Sequence, residues 1–176
     1  PEAFHMIYAG AQKNMGPAGT VMYAFDRDAV GKTGRSIPSY LDLAVHASKD
    51  SMFNTPPVFP VYVSMLTMRW MQALGGVEAM EARNQRKSNL IYQEIDRNGL
   101  FEGHAAADSR SNMNATFRLK DDALSSAFDV LWKDAGINGL KGHRSVGGYR
   151  ASMYNALSES SVQVLVDVMK ELERSH

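Results

Sequence analysis

The sequence predicts an α/β fold, and three patterns carry that prediction. Short apolar, partly β-branched runs flank a glycine-rich loop near the start; a long apolar stretch and an amphipathic one follow as successive helices; strand-like and helix-like segments then alternate to the end.

Met6 to Tyr8 and Thr20 to Phe25 read as two buried strands joined by a functional loop. Residues 26 to 53 are polar and mixed, with Gly31, Gly34, Pro38 and several serines, and read as one long loop without lasting period. From Val58 to Leu74 the chain is apolar nearly all round, which predicts a buried helix with Pro60 in its first turn and a stop at Gly75-Gly76. A more amphipathic helix is expected from about Val77 to Arg97, carrying Met80, Leu90, Ile91 and Ile95 among Glu, Arg, Gln and Lys, and ending at Asn98-Gly99. Beyond it the patterns predict a strand near Met113 to Leu119, a helix from Ala123 to Ala135, short strands near Leu140 and from Tyr149 to Tyr154, and a last helix from Glu159 to Arg174. Trp70 and Trp132 fall inside predicted helices at core spacing and read as packing residues rather than cofactor-stacking rings.

With 176 residues and 44% hydrophobic content, the chain can build one domain or a domain and a half. Its 19 basic and 19 acidic side chains cancel, so no net field draws it to nucleic acid or to an anionic membrane. There is no cysteine, which removes disulfides, thiolate metal sites and cysteine nucleophiles and fits a cytoplasmic setting. The histidines at 5, 46, 104, 143 and 176 show no metal-ligand spacing. The segment Pro1 to Met6 has neither a basic n-region nor an apolar h-region, so it reads as neither signal peptide nor anchor, and as the middle of a longer polypeptide. Gly31-Lys32-Thr33 is not a phosphate loop, because the pattern needs a glycine at position 26, which is Asp26. The Gly-x-Ser-x-Gly elbow of hydrolases and the His-Glu-x-x-His helix of zinc proteases are also missing.

Three short segments carry candidate chemistry. In Gly10-Ala11-Gln12-Lys13-Asn14, followed by Gly16-Pro17-Ala18-Gly19, small residues bring the backbone close to something and leave one amine projecting, which is how a lysine is presented to an aldehyde; standing alone, the run reads rather as an ordinary surface lysine in a Gly-rich turn. Asn54-Thr55-Pro56-Pro57 precedes the apolar helix as a cap, and a helix N-terminus beside a hydroxyl is also a phosphate site. Lys141, His143, Arg144 and Arg150 crowd into ten residues around Gly147-Gly148, a local cationic cluster that suggests a dianionic ligand or, more plainly, a solvated basic loop.

Together, and in this order, these segments, the third being Gly142-His143-Arg144-Ser145-Val146-Gly147-Gly148-Tyr149-Arg150-Ala151-Ser152, resemble the phosphoserine aminotransferase family from about Phe4 to the C-terminus. The resemblance implies the C-terminal half of a fold type I aminotransferase: residues 1–75 would end the large cofactor-binding domain and residues 76–176 would form the small α/β domain. It implies that Lys13 holds pyridoxal 5'-phosphate as a Schiff base and moves the substrate proton, and that Gln12, Asn54 and Thr55 bind the cofactor phosphate. It further implies that Arg150 holds the substrate α-carboxylate while His143 and Arg144 reach the substrate phosphate. Asn54, Thr55, His143 and Arg144 would serve the neighbouring subunit of a homodimer with shared active sites. The implied substrates are phosphoserine, 3-phosphohydroxypyruvate, glutamate and 2-oxoglutarate of serine biosynthesis. The family's ring-stacking aromatic, its pyridine-pairing aspartate and its N-terminal phosphate loop would all lie before Pro1, so this chain alone is expected to turn over little or nothing. Two rivals stand beside this reading: a non-catalytic anion-binding or dimerisation remnant, and an aminotransferase for another amino acid.

Overall fold

The computed structural model describes residues 3–32 and 34–176. The leader reading at Pro1-Glu2 and the last residue of Gly31-Lys32-Thr33 therefore lie outside the described residues. The chain divides into two compact units, Pro1–Ala73 and Leu74–His176.

In the first unit, β1 (Met6–Gly10) pairs antiparallel with β2 (Val21–Phe25), Met6 opposite Phe25 and Gly10 opposite Val21. Ala11 N–H donates to the Thr20 carbonyl at 2.9 Å and carries the ladder one step into the loop. The strands stand where the apolar runs predicted them, but they are not buried: Tyr8 is 68% exposed and stacks across the register on Tyr23, ring centroids 6.1 Å apart. A strand-length apolar run specifies a surface that wants cover without specifying what covers it.

The expected long loop also holds helical structure. Asp26 accepts from Asp28 N–H at 2.9 Å to start a 3-10 turn, Arg27–Ala29; a second turn spans Ser39–Leu41; and Asp42 caps α1 (Leu43–Ser48) by accepting from Ala44 N–H at 2.9 Å. Such one-turn pieces are nucleated by caps rather than by apolar periodicity, so a period search passes over them.

Helix α2 (Val58–Ala73) begins as predicted, with Pro60 in its first turn, where a missing N–H costs nothing. Its burial differs from expectation: Ser64 is its one buried residue, and Val58, Phe59, Tyr62, Met68 and Trp70 are exposed. Trp70, assigned to core packing, is 37% exposed. Gly75 (φ 105°) and Gly76 (φ 74°) take left-handed conformations that end α2 and start α3 (Gly76–Arg97).

The second unit is built on a three-stranded antiparallel sheet in the order β3-β4-β5, comprising β3 (Phe101–Gly103), β4 (Asn114–Leu119) and β5 (Tyr149–Ser152). Alternation sorts its faces: Ala115, Phe117, Leu119, Tyr149 and Ala151 are buried, while Arg118, Arg150 and Ser152 are exposed. Helix α3, α4 (Ser125–Asp134) and α5 (Glu159–Ser175) supply the rest of this core through Ile91, Ile95, Phe128, Trp132, Leu165 and Met169. Trp132 is buried, as its spacing predicted, and an aromatic cluster forms around Phe128, whose ring lies 4.8 Å from Tyr149 and 5.1 Å from Phe101.

Three details depart from expectation. Strand β3 was not foreseen, because three residues leave no alternation to read. The expected strand near Leu140 is an isolated bridge between Lys141 and Tyr149, beside Arg150 N–H donating to the Leu140 carbonyl at 2.7 Å. The helix expected from Ala123 opens as a 3-10 turn, Asp122–Leu124, before α4.

Candidate functional site

Lys13 and Gln12 sit on the loop between β1 and β2, both exposed. The loop's small residues approach helix α2: a Cβ added at Gly16 would collide with the Ser64 side chain, and one at Gly19 would come within 3.2 Å of Pro60. The loop thus lies against α2 with its backbone, and Met15 and Gly16 N–H groups close it on the Ala11 carbonyl at 3.1 and 2.8 Å. A Cβ at Gly10 would strike the Gln12 carboxamide, so Gln12 folds back over the strand end beside the lysine. Asn54 and Thr55 are exposed, irregular residues just ahead of α2. The first N–H groups of a helix have no partner within it, so this end of α2 offers donors to an anion.

His143, Arg144 and Arg150 belong to the second unit. The loop carrying the first two is closed at its neck by Gly142 N–H donating to the Gly148 carbonyl at 2.8 Å, and Val146 and Gly147 N–H groups both donate to the His143 carbonyl. A Cβ at Gly148, whose φ is 62°, would lie 2.7 Å from the Phe117 carbonyl, so only glycine lets the loop return to the sheet here. Ser145 N–H donates to His143 Nδ1 at 3.3 Å, and the Ser145 hydroxyl lies 2.7 Å from the same nitrogen. A backbone N–H can only donate, so Nδ1 is the acceptor in this pair, which leaves Nε2 as the ring nitrogen able to donate.

Arg150 projects from the exposed face of β5, opposite Thr116 in the register. Among the described residues no carboxylate pairs with Arg144 or Arg150, whereas Arg86, Arg97, Arg110 and Arg118 all have acidic partners. Lys141 does not join the free cations as expected: its Nζ lies 2.5 Å from Asp129 and over the Tyr149 ring. Asp129 is twelve residues away in sequence and was invisible to a reading of local charge density.

A cleft of about 400 Å³ on this unit is lined by His104, Thr116, Arg118, His143, Gly148 and Arg150. His104 and Thr116 were not singled out in the sequence. They meet because His104 N–H donates to the Thr116 carbonyl at 3.0 Å beyond the end of β3, a pairing that spacing does not encode. Arg118 is held by Glu102 on the neighbouring strand, which leaves His143 and Arg150 as the cleft's candidate donors to an anion among the sequence-predicted residues.

The first unit thus presents an exposed lysine on a glycine-bound loop and a helix start flanked by a hydroxyl and an amide, and the second unit presents guanidinium groups without carboxylate partners among the described residues. The aminotransferase class-V profile matches residues 3–165, and the chain belongs to that family. It is 62% identical over 170 residues to the phosphoserine aminotransferase of Flavobacterium psychrophilum, covering 97% of this chain and 48% of that protein. With the phosphoserine aminotransferase of Porphyromonas gingivalis it shares 50% identity over 175 residues, covering 98% of this chain and 49% of that one. Among solved structures, phosphoserine aminotransferase from Bacillus circulans subsp. alkalophilus matches with a TM-score of 0.93 at 40% identity, covering 99% of this chain and 48% of that chain. The pyridoxal-phosphate-bound phosphoserine aminotransferase of Trichomonas vaginalis matches with a TM-score of 0.89 at 34% identity, covering 96% of this chain and 48% of that chain. The α/β fold is therefore that of fold type I aminotransferases, and the chain spans about half the length of the relatives it matches.

Proposed function

We propose that this chain is the C-terminal half of a phosphoserine aminotransferase. The whole protein would exchange the amino group between O-phospho-L-serine and 2-oxoglutarate, giving 3-phosphohydroxypyruvate and glutamate, in cytoplasmic serine biosynthesis. The observation that carries the reading is the pair of arginines, Arg144 and Arg150, which have no carboxylate partner among the described residues, Arg150 lining the same cleft as His143. A substrate with a phosphate and an α-carboxylate matches two such groups.

The donor set fits pyridoxal 5'-phosphate. Lys13 is the amine exposed on the loop against α2, and Gln12, Asn54, Thr55 and the helix start offer neutral amide, hydroxyl and N–H donors suited to a phosphate. When bound, that group supplies the electron sink that makes loss of the substrate Cα proton feasible. Lys13 would hold it covalently through Nζ and, once displaced by the substrate amine, take the proton from Cα as a free amine. Arg150 would grip the α-carboxylate with two parallel N–H donors and so fix the Cα–H bond toward Lys13. His143 Nε2–H and Arg144 would hold the phosphate, and in the other half-reaction the γ-carboxylate of glutamate, since both present anionic oxygens to the same donors. In the proposed homodimer, Asn54, Thr55, His143 and Arg144 reach across to the neighbouring active site.

The 176-residue chain alone is proposed to be inactive, in keeping with its span of about half the relatives' length and the exposed apolar faces of β1, β2 and α2. The test is glutamate formation from phosphoserine and 2-oxoglutarate by the full-length protein loaded with pyridoxal phosphate. Turnover supports the reading. Turnover with a non-phosphorylated amino acid alone points to the other aminotransferase reading, and absence of any turnover to the non-catalytic one.

A further inference from the structure

Lys87 lies in the middle of α3 and is 0% exposed, one of the largest fully buried side chains among the described residues. Burying an ammonium is costly unless it is well bonded. Here the bonds are specific: Nζ donates to the Met153 carbonyl at 2.9 Å and to the Tyr154 carbonyl at 2.8 Å. No carboxylate lies within ion-pair distance of it among the described residues, and the charged groups bearing on it are Arg83 on its own helix and Glu159 at the start of α5. Burial first, and Arg83 second, lower its pKa to about 8 against the opposing pull of Glu159.

The two carbonyls belong to the residues directly after β5. On its other side Met153 N–H donates to the Met113 carbonyl at 2.7 Å, so this exit is gripped from both directions. Helix α3 then continues along the same segment: Asn84 Nδ2 donates to Asn155 Oδ1 at 2.8 Å, Arg83 to the Leu157 carbonyl at 3.4 Å, and Arg86 to Glu159 at 2.8 Å. Two adjacent carbonyls converging on one buried point need an atom with several donors on a long stem, and among side chains the lysine ammonium provides that. Arg150 stands three residues before Met153 on a four-residue strand, so a shift of the strand along its axis moves the guanidinium with it.

We infer that Lys87 is a positioning residue: by taking the Met153 and Tyr154 carbonyls it fixes the register of β5 and hence the placement of Arg150. The inference rests on the proposed role of Arg150 as the carboxylate anchor. A carboxylate grip with two parallel bonds tolerates only about 0.5 Å of error, which is why a remote fixing point matters.

The test uses the full-length, cofactor-loaded protein with Lys87→Met, and Lys87→Gln should the first variant not fold. The expected result is a KM for phosphoserine and for glutamate raised together by roughly 10- to 100-fold with kcat changed far less. Amide exchange at residues 150–154 should accelerate while that of α4 stays unchanged. Unchanged KM in a folded variant overturns the inference, whether or not exchange accelerates, because β5 would then not govern Arg150. Should the wild-type protein prove inactive, the functional reading fails on its own. Exchange then decides the structural part: unchanged protection at 150–154 in the variant overturns the fixing of β5 by Lys87, and lost protection upholds it.

Discussion

Asp129 holds Lys141 at 2.5 Å and keeps it over the ring of Tyr149, while the Tyr149 hydroxyl and the Trp132 indole N–H both donate to the same carboxylate at 3.1 Å. One carboxylate thus ties α4 to the strand pair that carries Arg150 and withdraws Lys141 from the cationic cluster. Burial works to raise the Asp129 pKa, and the bonds from Lys141, Trp132 and Tyr149 outweigh it, so the net shift is downward.

Asp129→Asn should therefore destabilise the second unit by about 1–3 kcal/mol at neutral pH, the usual cost of weakening hydrogen bonds to a charged group. A depressed folded-state pKa stabilises above the unfolded value of 3.8 and loses that stabilisation as pH falls through the folded value. The gap between wild type and variant in urea denaturation should accordingly narrow below about pH 4. A gap that widens on acidification would contradict the assignment.

Lys87 gives the opposite limb. Its folded pKa of about 8 lies below the ordinary 10.5, so between those values the unfolded chain binds the proton that the folded chain has lost. Stability then rises with pH across that window and is flat with respect to this group below it. Comparing denaturation midpoints of wild type and Lys87→Met near pH 7.5 and near pH 10 isolates this slope from tyrosine titration common to both. The wild type should gain relative to the variant.

Gly16→Ala tests how the lysine loop is held. The new methyl would overlap Ser64, whose Cα lies 3.0 Å from the ideal Cβ position, and neither backbone can retreat easily. A cost of about 1–3 kcal/mol in the first unit is expected. The full-length variant should also retain less pyridoxal phosphate on dialysis. Gly31→Ala, where nothing lies within 4 Å of the Cβ but φ is 81°, is the control for backbone strain alone.

Arg144→Ala and Arg150→Lys should separate by substrate. Loss of the Arg144 guanidinium is expected to raise KM for phosphoserine by roughly 10- to 100-fold and for glutamate less, because the phosphate offers more charge to the missing donors. Arg150→Lys gives up the two-pronged geometry and should penalise both amino acids alike. Steady-state kinetics on the loaded full-length protein decide it, and an Arg144 variant that spares phosphoserine relative to glutamate would favour an enzyme for a different amino acid.

The parts of this fold that could be read in advance are those written in local periodicity. Helices α3 and α5 carry their buried residues on one stripe, and β4 and β5 alternate, so the second unit's core was legible. What could not be read is set by distant partners. The apolar runs of β1 and α2 look like core in sequence, and their exposure is a matter of what packs on them, not of composition. Lys87 reads as a solvent-facing lysine on an amphipathic helix until the exit of β5 lands on it, and Lys141 reads as a free cation until Asp129 is brought beside it. The candidate residues were found through motif resemblance; the glycines explain how their loops are shaped, and the tertiary pairings explain which cations remain available.

The most direct test of the central claim is to load the full-length protein with pyridoxal phosphate, reduce it with borohydride and locate the modified residue by peptide mass spectrometry. The account predicts a single pyridoxyl label on Lys13. A label on another lysine, or a bound cofactor that leaves Lys13 unmodified, would contradict it.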